Sequence, residues 1–501
     1  MPKRPDEETE ERGTTPMLKH TKSLELWEKY GQYLLMAMPY ADGLIEEAHG
    51  CMLRDLDGNE TLDLAAGQFC TILGHSHPKQ IEKVIEQVRR VVHTGSQFLS
   101  PIVLEAAAKF AEVAPGKLKR SMLFSTGTEA NECALSIAKM YTKKTGIVGF
   151  NRGYYGLSLT TKSLTAVFGH GKPGDSPSVP DTYRLLAPHC FHCPVHTRFP
   201  ECNLLCLESS IEACIPAPDD LAAVIIEPIL SAGGMIVPPP GYLKALQDFA
   251  HNHDALLIMD EAQTGFGRTG KWFGSEHHGI EPDILVVSKG AGGGFPVSGF
   301  ITTDEIADRV EREGFSHLAS HQSDPLSAAA FSSLIDVIRE ENLVENAAEV
   351  GVYFKARLEE LKTRHSIVAD VRGQGLMLGM EIAGGAGSKH SDAELTLAIV
   401  ALAKQKGVHL TFTYFEPVLR FIPPLTLTRK EVDFAISVLD EAMKEAVRPG
   451  LSLEELLPAN RYTRTYVQSQ RGKLNLRRLL SRLYETSPER WFKKIGEMAS
   501  K

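Results

Sequence analysis

Three short apolar runs constrain this 501-residue chain more than anything else in it, because each ends on a residue with chemistry to offer. LAAVIIEP closes on Glu227, ALLIMDEAQ on Asp260 and DILVVSK on Lys289. Aliphatic runs with no polar alternation belong to strands covered on both faces, which is the condition of a parallel sheet. Open α/β sheets bind ligands outside the carboxyl ends of their strands, so the three runs predict one sheet edge carrying a lysine and two carboxylates.

A pyridoxal phosphate site needs that set. The lysine forms an imine, and a carboxylate keeps the pyridine nitrogen protonated so that the ring can act as an electron sink. The phosphate needs its own cradle, and SMLFSTGTEANECALSIAKMY offers one. A strand at Met122–Phe124 runs into Ser125, Thr126, Gly127 and Thr128, and then into a helix with apolar residues at Ala134, Leu135, Ile137, Ala138 and Tyr141. Backbone N–H groups at such a start bind a dianion without a basic side chain, and Glu129 is an ordinary first-turn carboxylate. Most turns of this kind are simple caps, so the turn gains weight only beside the three strand ends.

The remaining text divides the chain. MPKRPDEETEERGTTP is charged and has no hydrophobic segment, so residues 1–24 read as a solvated tail, with a cytoplasmic location as the expectation. Residues 25–75 form an N-terminal arm and part of a smaller domain, with GCMLRDLDGNETLDLA as a hairpin. Residues 76–330 are a large α/β body. Residues 331–447 form a smaller α+β domain containing a Gly-rich strand, VRGQGLMLGMEI, and a helix from about Thr428. Residues 448–501 are a basic extension: from Leu451 onward 11 Lys or Arg face 5 Asp or Glu. KLNLRRLLSRLY, Lys473–Tyr484, reads there as an amphipathic helix docked on the body or on a partner subunit. A net charge of −9 argues against nucleic acid, and no run approaches the ~20 apolar residues of a membrane span. CFHCPVHTRFPECNLLC places Cys190, Cys193, Cys202 and Cys206 near His189, His192 and His196; the four thiols suit zinc or an iron–sulfur cluster, or pack a loop in reduced form.

With LGHSHP at 73–78, STGTEANE at 125–132, EPIL at 227–230, DEAQTGFGRTG at 260–270 and SKGAGGGFPVSG at 288–299, residues 25–445 resemble the class III (subgroup II) aminotransferases of the fold-type I pyridoxal phosphate enzymes. The order of the motifs and the 29-residue step from Asp260 to Lys289 carry the resemblance. AGQFCTILGHSHP, EPILSAGG, SDPL at 323–326 and LRFIPPLT at 419–426 resemble the 2,2-dialkylglycine decarboxylase branch. The resemblance implies an α/β fold with a large, mostly parallel sheet domain and a smaller α+β domain. It also implies pyridoxal 5′-phosphate as cofactor, and a homodimer or dimer of dimers.

Roles follow from the same resemblance. Lys289 would link the cofactor and move a proton, Asp260 would pair with the pyridinium nitrogen, and Gln263 would bond the phenolic oxygen. Gly127 and Thr128 would offer backbone donors to the phosphate, Tyr154 would stack on the ring, and Glu227 would line the cofactor pocket. Ser320 would reach a phosphate across a dimer interface. Gln68 aligns with the glutamine that grips a departing carboxylate, and Arg420 would be the second carboxylate handle. Ala232 stands where ω-amino relatives carry glutamate and the dialkylglycine decarboxylases carry serine; Tyr155 stands where the family often has histidine. The implied reaction is decarboxylation of an α-amino acid, of the 2,2-dialkylglycine type, followed by amino transfer to an α-keto acid such as pyruvate. A plain aminotransferase and an amino-acid racemase are the alternatives.

Overall fold

The computed structural model describes residues 18–465, apart from 96, 167–178, 386–391, 414–416, 452–455 and 457. The expected helix at Lys473–Tyr484 lies outside the described residues.

The three apolar runs become adjacent strands. Leu221–Ile226, Leu256–Asp260 and Ile284–Val287 are buried along their whole length, as their composition demands. They form the centre of a seven-stranded sheet in the order Leu118–Phe124, Ser298–Thr303, Ile284–Val287, Leu256–Asp260, Leu221–Ile226, Gly146–Phe150, Thr182–Leu185. Pairing is parallel except at Ser298–Thr303, which runs antiparallel to both neighbours. One reversed strand between two others leaves the carboxyl ends of the 118–124, 221–226, 256–260 and 284–287 strands at the same edge.

Helix Gly127–Thr142 packs on this sheet through Ala130, Ala134, Leu135, Ile137 and Ala138, all buried. Burying a leucine or isoleucine stabilises by ~1.5–3 kcal/mol each, so this face fixes where the helix begins. The beginning is set locally by Thr126, whose hydroxyl accepts the Glu129 N–H (3.3 Å).

A second sheet, wholly antiparallel, joins Val368–Gln374, Met377–Ile382, Val418–Phe421 and Thr411–Phe412. The Gly-rich text expected as one strand is thus a hairpin. Gly375, at φ 55°, reverses the chain, and a Cβ there would sit 2.4 Å from the Thr269 carbonyl carbon. The expected N-terminal hairpin is present as Met52–Asp55 and Glu60–Asp63, and Val408–His409 adds to it in parallel, tying the arm to the C-terminal half. Position 330, the expected end of the large body, lies inside helix Pro325–Glu340, which packs on helices Pro78–Arg90 and Pro101–Val113.

Candidate active site

The strand ends converge. A Cβ on Gly127 would lie 2.9 Å from Ser288 Oγ and 3.0 Å from its Cβ, so the start of helix Gly127–Thr142 is pressed against the residue before Lys289. Only glycine permits that approach, and it brings the helix start, whose first N–H groups have no intrahelical partner, against Ser288. Lys289 opens the short turn Lys289–Gly292 with φ 47°, a left-handed conformation that costs about 1–3 kcal/mol for a residue with a Cβ. Such a strained backbone persists where the surroundings over-determine it.

Two buried carboxylates face the lysine. Asp260 is 3% exposed; Asn131 Nδ2 donates to its Oδ2 (2.8 Å) and the Ala262 N–H to its Oδ1 (3.0 Å). Burial raises this carboxyl above the ordinary range, opposed by the Lys289 charge and by those two donors. Glu227, 4% exposed, is pushed up to about 8, first by burial and then by the Asp260 charge, against donation from the N–H groups of Tyr154 (3.0 Å) and Ser231 (3.3 Å). Burial thus opposes charge on both carboxyls, and the Lys289 charge and the amide donors oppose protonation of both. The half-buried Tyr154 phenol is raised by burial and then by the Asp260 and Glu227 charges. Gln263 Oε1 accepts from Ser231 Oγ (2.9 Å).

The loop bearing Gln68 is built with comparable force. Asp63 accepts from the N–H groups of Ala65 (2.9 Å) and Gly67 (2.6 Å) and pairs with His75 Nε2 (2.8 Å). Burial would raise Asp63, but the His75 bond, the His409 charge and the two backbone donors outweigh it and hold the carboxyl low. Ala66, Gly67 and Phe69 all have φ between 46° and 68°, so the chain folds tightly and leaves Gln68 exposed. Next to it, the Arg420 guanidinium lies 4.7 Å from the Phe69 ring centroid. On the other side, the Lys289 charge acts on the half-buried Cys70 thiol, which burial raises. Gln68 is thus followed in the chain by Phe69, which packs on the buried Arg420, and by Cys70, which feels the Lys289 charge; Arg420 Nη2 donates to the Phe412 carbonyl (3.4 Å). Ala232 is buried in the turn after Glu227.

Ser320 occupies an exposed turn closed by the Gln322 N–H on the Ala319 carbonyl (3.2 Å), and no hydrogen bond links it to this cluster among the described residues. The four cysteines are free and line one pocket away from the lysine. Burial pushes Cys206 up to about 11, with Cys193, Cys190 and Cys202 adding to it. Three supporting groups escaped sequence reasoning: Asn131, Ser231 and the Asp63–His75 pair. Asn131 left a trace, a polar residue on the apolar face of its helix; Asp63 and His75 left none, because their bond closes only in the folded chain.

The cluster brings together a lysine, a buried carboxylate bonded to an amide, and the start of a helix. Residues 37–443 match the family model described as "Aminotransferase class-III". The chain is 37% identical over 412 residues to an uncharacterized aminotransferase of Schizosaccharomyces pombe, spanning 81% of this chain and 91% of that protein. It is 33% identical over 407 residues to an alanine/serine racemase of Pyrococcus horikoshii, spanning 79% and 85%. It superposes on a Bacillus anthracis aminotransferase with a TM-score of 0.79 at 27% identity, covering 85% of this chain and 100% of that one. The chain belongs to the class III aminotransferases, enzymes of fold type I that use pyridoxal 5′-phosphate.

Proposed function

We propose that this aminotransferase releases carbon dioxide from an α-amino acid, one with two substituents at Cα, and passes the amino group to an α-keto acid. The reading is supported by the exposure of Gln68 on a loop whose next two residues, Phe69 and Cys70, lie against Arg420 and within reach of the Lys289 charge. When bound, pyridoxal phosphate supplies the sink for the electron pair of a bond broken at the substrate Cα. The bond that breaks is the one held perpendicular to the ring, so the protein chooses the reaction by where it holds the carboxylate. Gln68, exposed on a braced loop, is the group that would hold the leaving carboxylate. Arg420, with its fork geometry, would hold the carboxylate that stays, that of the keto acid or its product.

In this reading Lys289 binds the cofactor and carries the proton, and Asp260, oriented by Asn131, keeps the pyridine nitrogen charged. Glu227 lines the pocket in neutral form, Tyr154 covers the ring, and Gln263, fixed by Ser231, bonds the phenolic oxygen. Gly127 and Thr128 receive the phosphate, with Ser320 contributing across the interface of a homodimer or dimer of dimers. A cytoplasmic location completes the proposal.

With 2-aminoisobutyrate and pyruvate the products are carbon dioxide, acetone and alanine, which balances every atom. Gln68→Ala should lower carbon dioxide release by ~1–3 kcal/mol in the transition state, roughly 5- to 150-fold in turnover number, and leave alanine transamination nearly intact. The likeness to a racemase, and the missing hydroxyl at Ala232, favour a second reading in which only the Cα–H bond breaks. Racemisation or amino transfer of an α-amino acid that carries a Cα–H bond, with no carbon dioxide released from 2-aminoisobutyrate, would establish that reading instead.

A further inference from the structure

The loop between strand Thr182–Leu185 and helix Leu205–Cys214 has no regular element in residues 186–204. Loops of that length without their own secondary structure are uncommon in a compact domain and usually serve a function. Its two cysteine pairs, separate in sequence, come together: Cys190 and Cys193 on one turn, and Cys202 and Cys206 at the start of the helix, line a single pocket together with His189 and Thr197. Cysteines that merely fill space are buried, as Cys51 and Cys133 are; here Cys190 is exposed and Cys193 and Cys202 are half-buried at the mouth. The Thr197 N–H donates to Cys193 Sγ (3.4 Å), so this sulfur is held in place as an acceptor.

We propose that Cys190, Cys193, Cys202 and Cys206 form a structural site for one zinc-class divalent ion. Soft thiolates select such an ion, and a closed set of four protein ligands is the pattern of structural rather than catalytic zinc. Nearby, His189, His192 and Glu381 also bring ligand atoms within 4.8 Å of one another. That set is a poorer competitor, because Arg372 Nη1 already lies 2.8 Å from Glu381 Oε2 and would oppose a second cation. A tetrahedron with metal–sulfur bonds of ~2.3 Å puts the sulfurs about 3.8 Å apart. No three of the four meet a 4.8 Å limit among the described residues, so binding draws the two turns together. His192, hydrogen-bonded to Glu381, lies between Cys190 and Cys193 in sequence, so the ion would brace the contact between this loop and the smaller sheet.

The test uses the full-length holoenzyme, purified without a histidine tag under anaerobic reducing conditions, and measures metal by mass spectrometry and thiol reactivity with a disulfide reagent. One zinc per chain is expected, with four thiols protected until a chelator is added and a melting temperature that drops on chelation. Cys193→Ser and Cys202→Ser should each lower the zinc content at least tenfold. The wild-type thiol protection stands as an independent readout if those variants fold poorly. Iron with acid-labile sulfide, disulfides in the loop, or four freely reactive thiols after incubation with zinc would each overturn the assignment.

Discussion

Asn131→Ala probes the site through a residue that touches neither substrate nor lysine. Its amide donates to Asp260 Oδ2 (2.8 Å) and to the Tyr155 carbonyl (2.8 Å), both buried. A hydrogen bond to a charged group is worth about 1.5–3 kcal/mol, so losing the first should weaken pyridoxal phosphate binding roughly 10- to 150-fold. The second bond stabilises the fold by about 1 kcal/mol and should appear as a small drop in melting temperature. The Asp260 carboxyl, already raised by burial, loses one of the groups holding it down and should titrate at higher pH. Because Asp260 works ionised, the acid limb of the activity profile should then move to higher pH. Cofactor affinity comes from titrating the apoenzyme and following visible absorbance; the limb comes from initial rates across pH. A twofold or smaller change in affinity together with an unmoved acid limb would refute the view that Asn131 maintains the charge of Asp260.

Arg420→Lys keeps the charge and loses the fork, so the KM of the keto acid should rise by an equivalent of ~1–3 kcal/mol while that of the decarboxylated amino acid, whose carboxylate is assigned to Gln68, moves little; an equal rise for both would show that the two carboxylates share one handle. Glu227 gives a stability prediction with a definite sign. Its folded value of about 8 exceeds the ordinary 4.5, so the folded apoenzyme binds the extra proton, and stability falls as pH rises from about 4.5 to 8. The contribution is at most about 1.4 kcal/mol per pH unit, and Glu227→Gln should flatten that part of the curve in chemical denaturation. An unchanged slope would mean that Glu227 is ionised when folded.

The site was legible where one local pattern sufficed. Strands buried on both faces need uninterrupted apolar text, so the positions of Glu227, Asp260 and Lys289 could be read directly, and the sheet brings them together. Gly127 was legible as part of a turn, although its close approach to Ser288 was not, since that distance depends on two distant segments. The hairpin at Gly375 was hidden because apolar residues continue through both strands and the reversal rests on one glycine conformation. The strand Val408–His409 is two residues long, too short to leave a period, yet it joins the arm to the C-terminal half. The brace of Asp63 under Gln68 depends on His75, and a contact twelve residues apart across a turn has no spacing rule.

Two carboxyl groups buried beside each other are tolerable for this fold only while something nearby offsets them, and the protein's own offset is one lysine and a few amide donors. A pyridinium against Asp260 would strengthen that offset, and a ligand that binds only the folded state at a hundred times its dissociation constant adds about 2.7 kcal/mol. That is a large share of the 5–15 kcal/mol by which ordinary domains stay folded. The amount of this enzyme in a cell should consequently track the supply of vitamin B6, with chains made during scarcity opening more often and being degraded sooner.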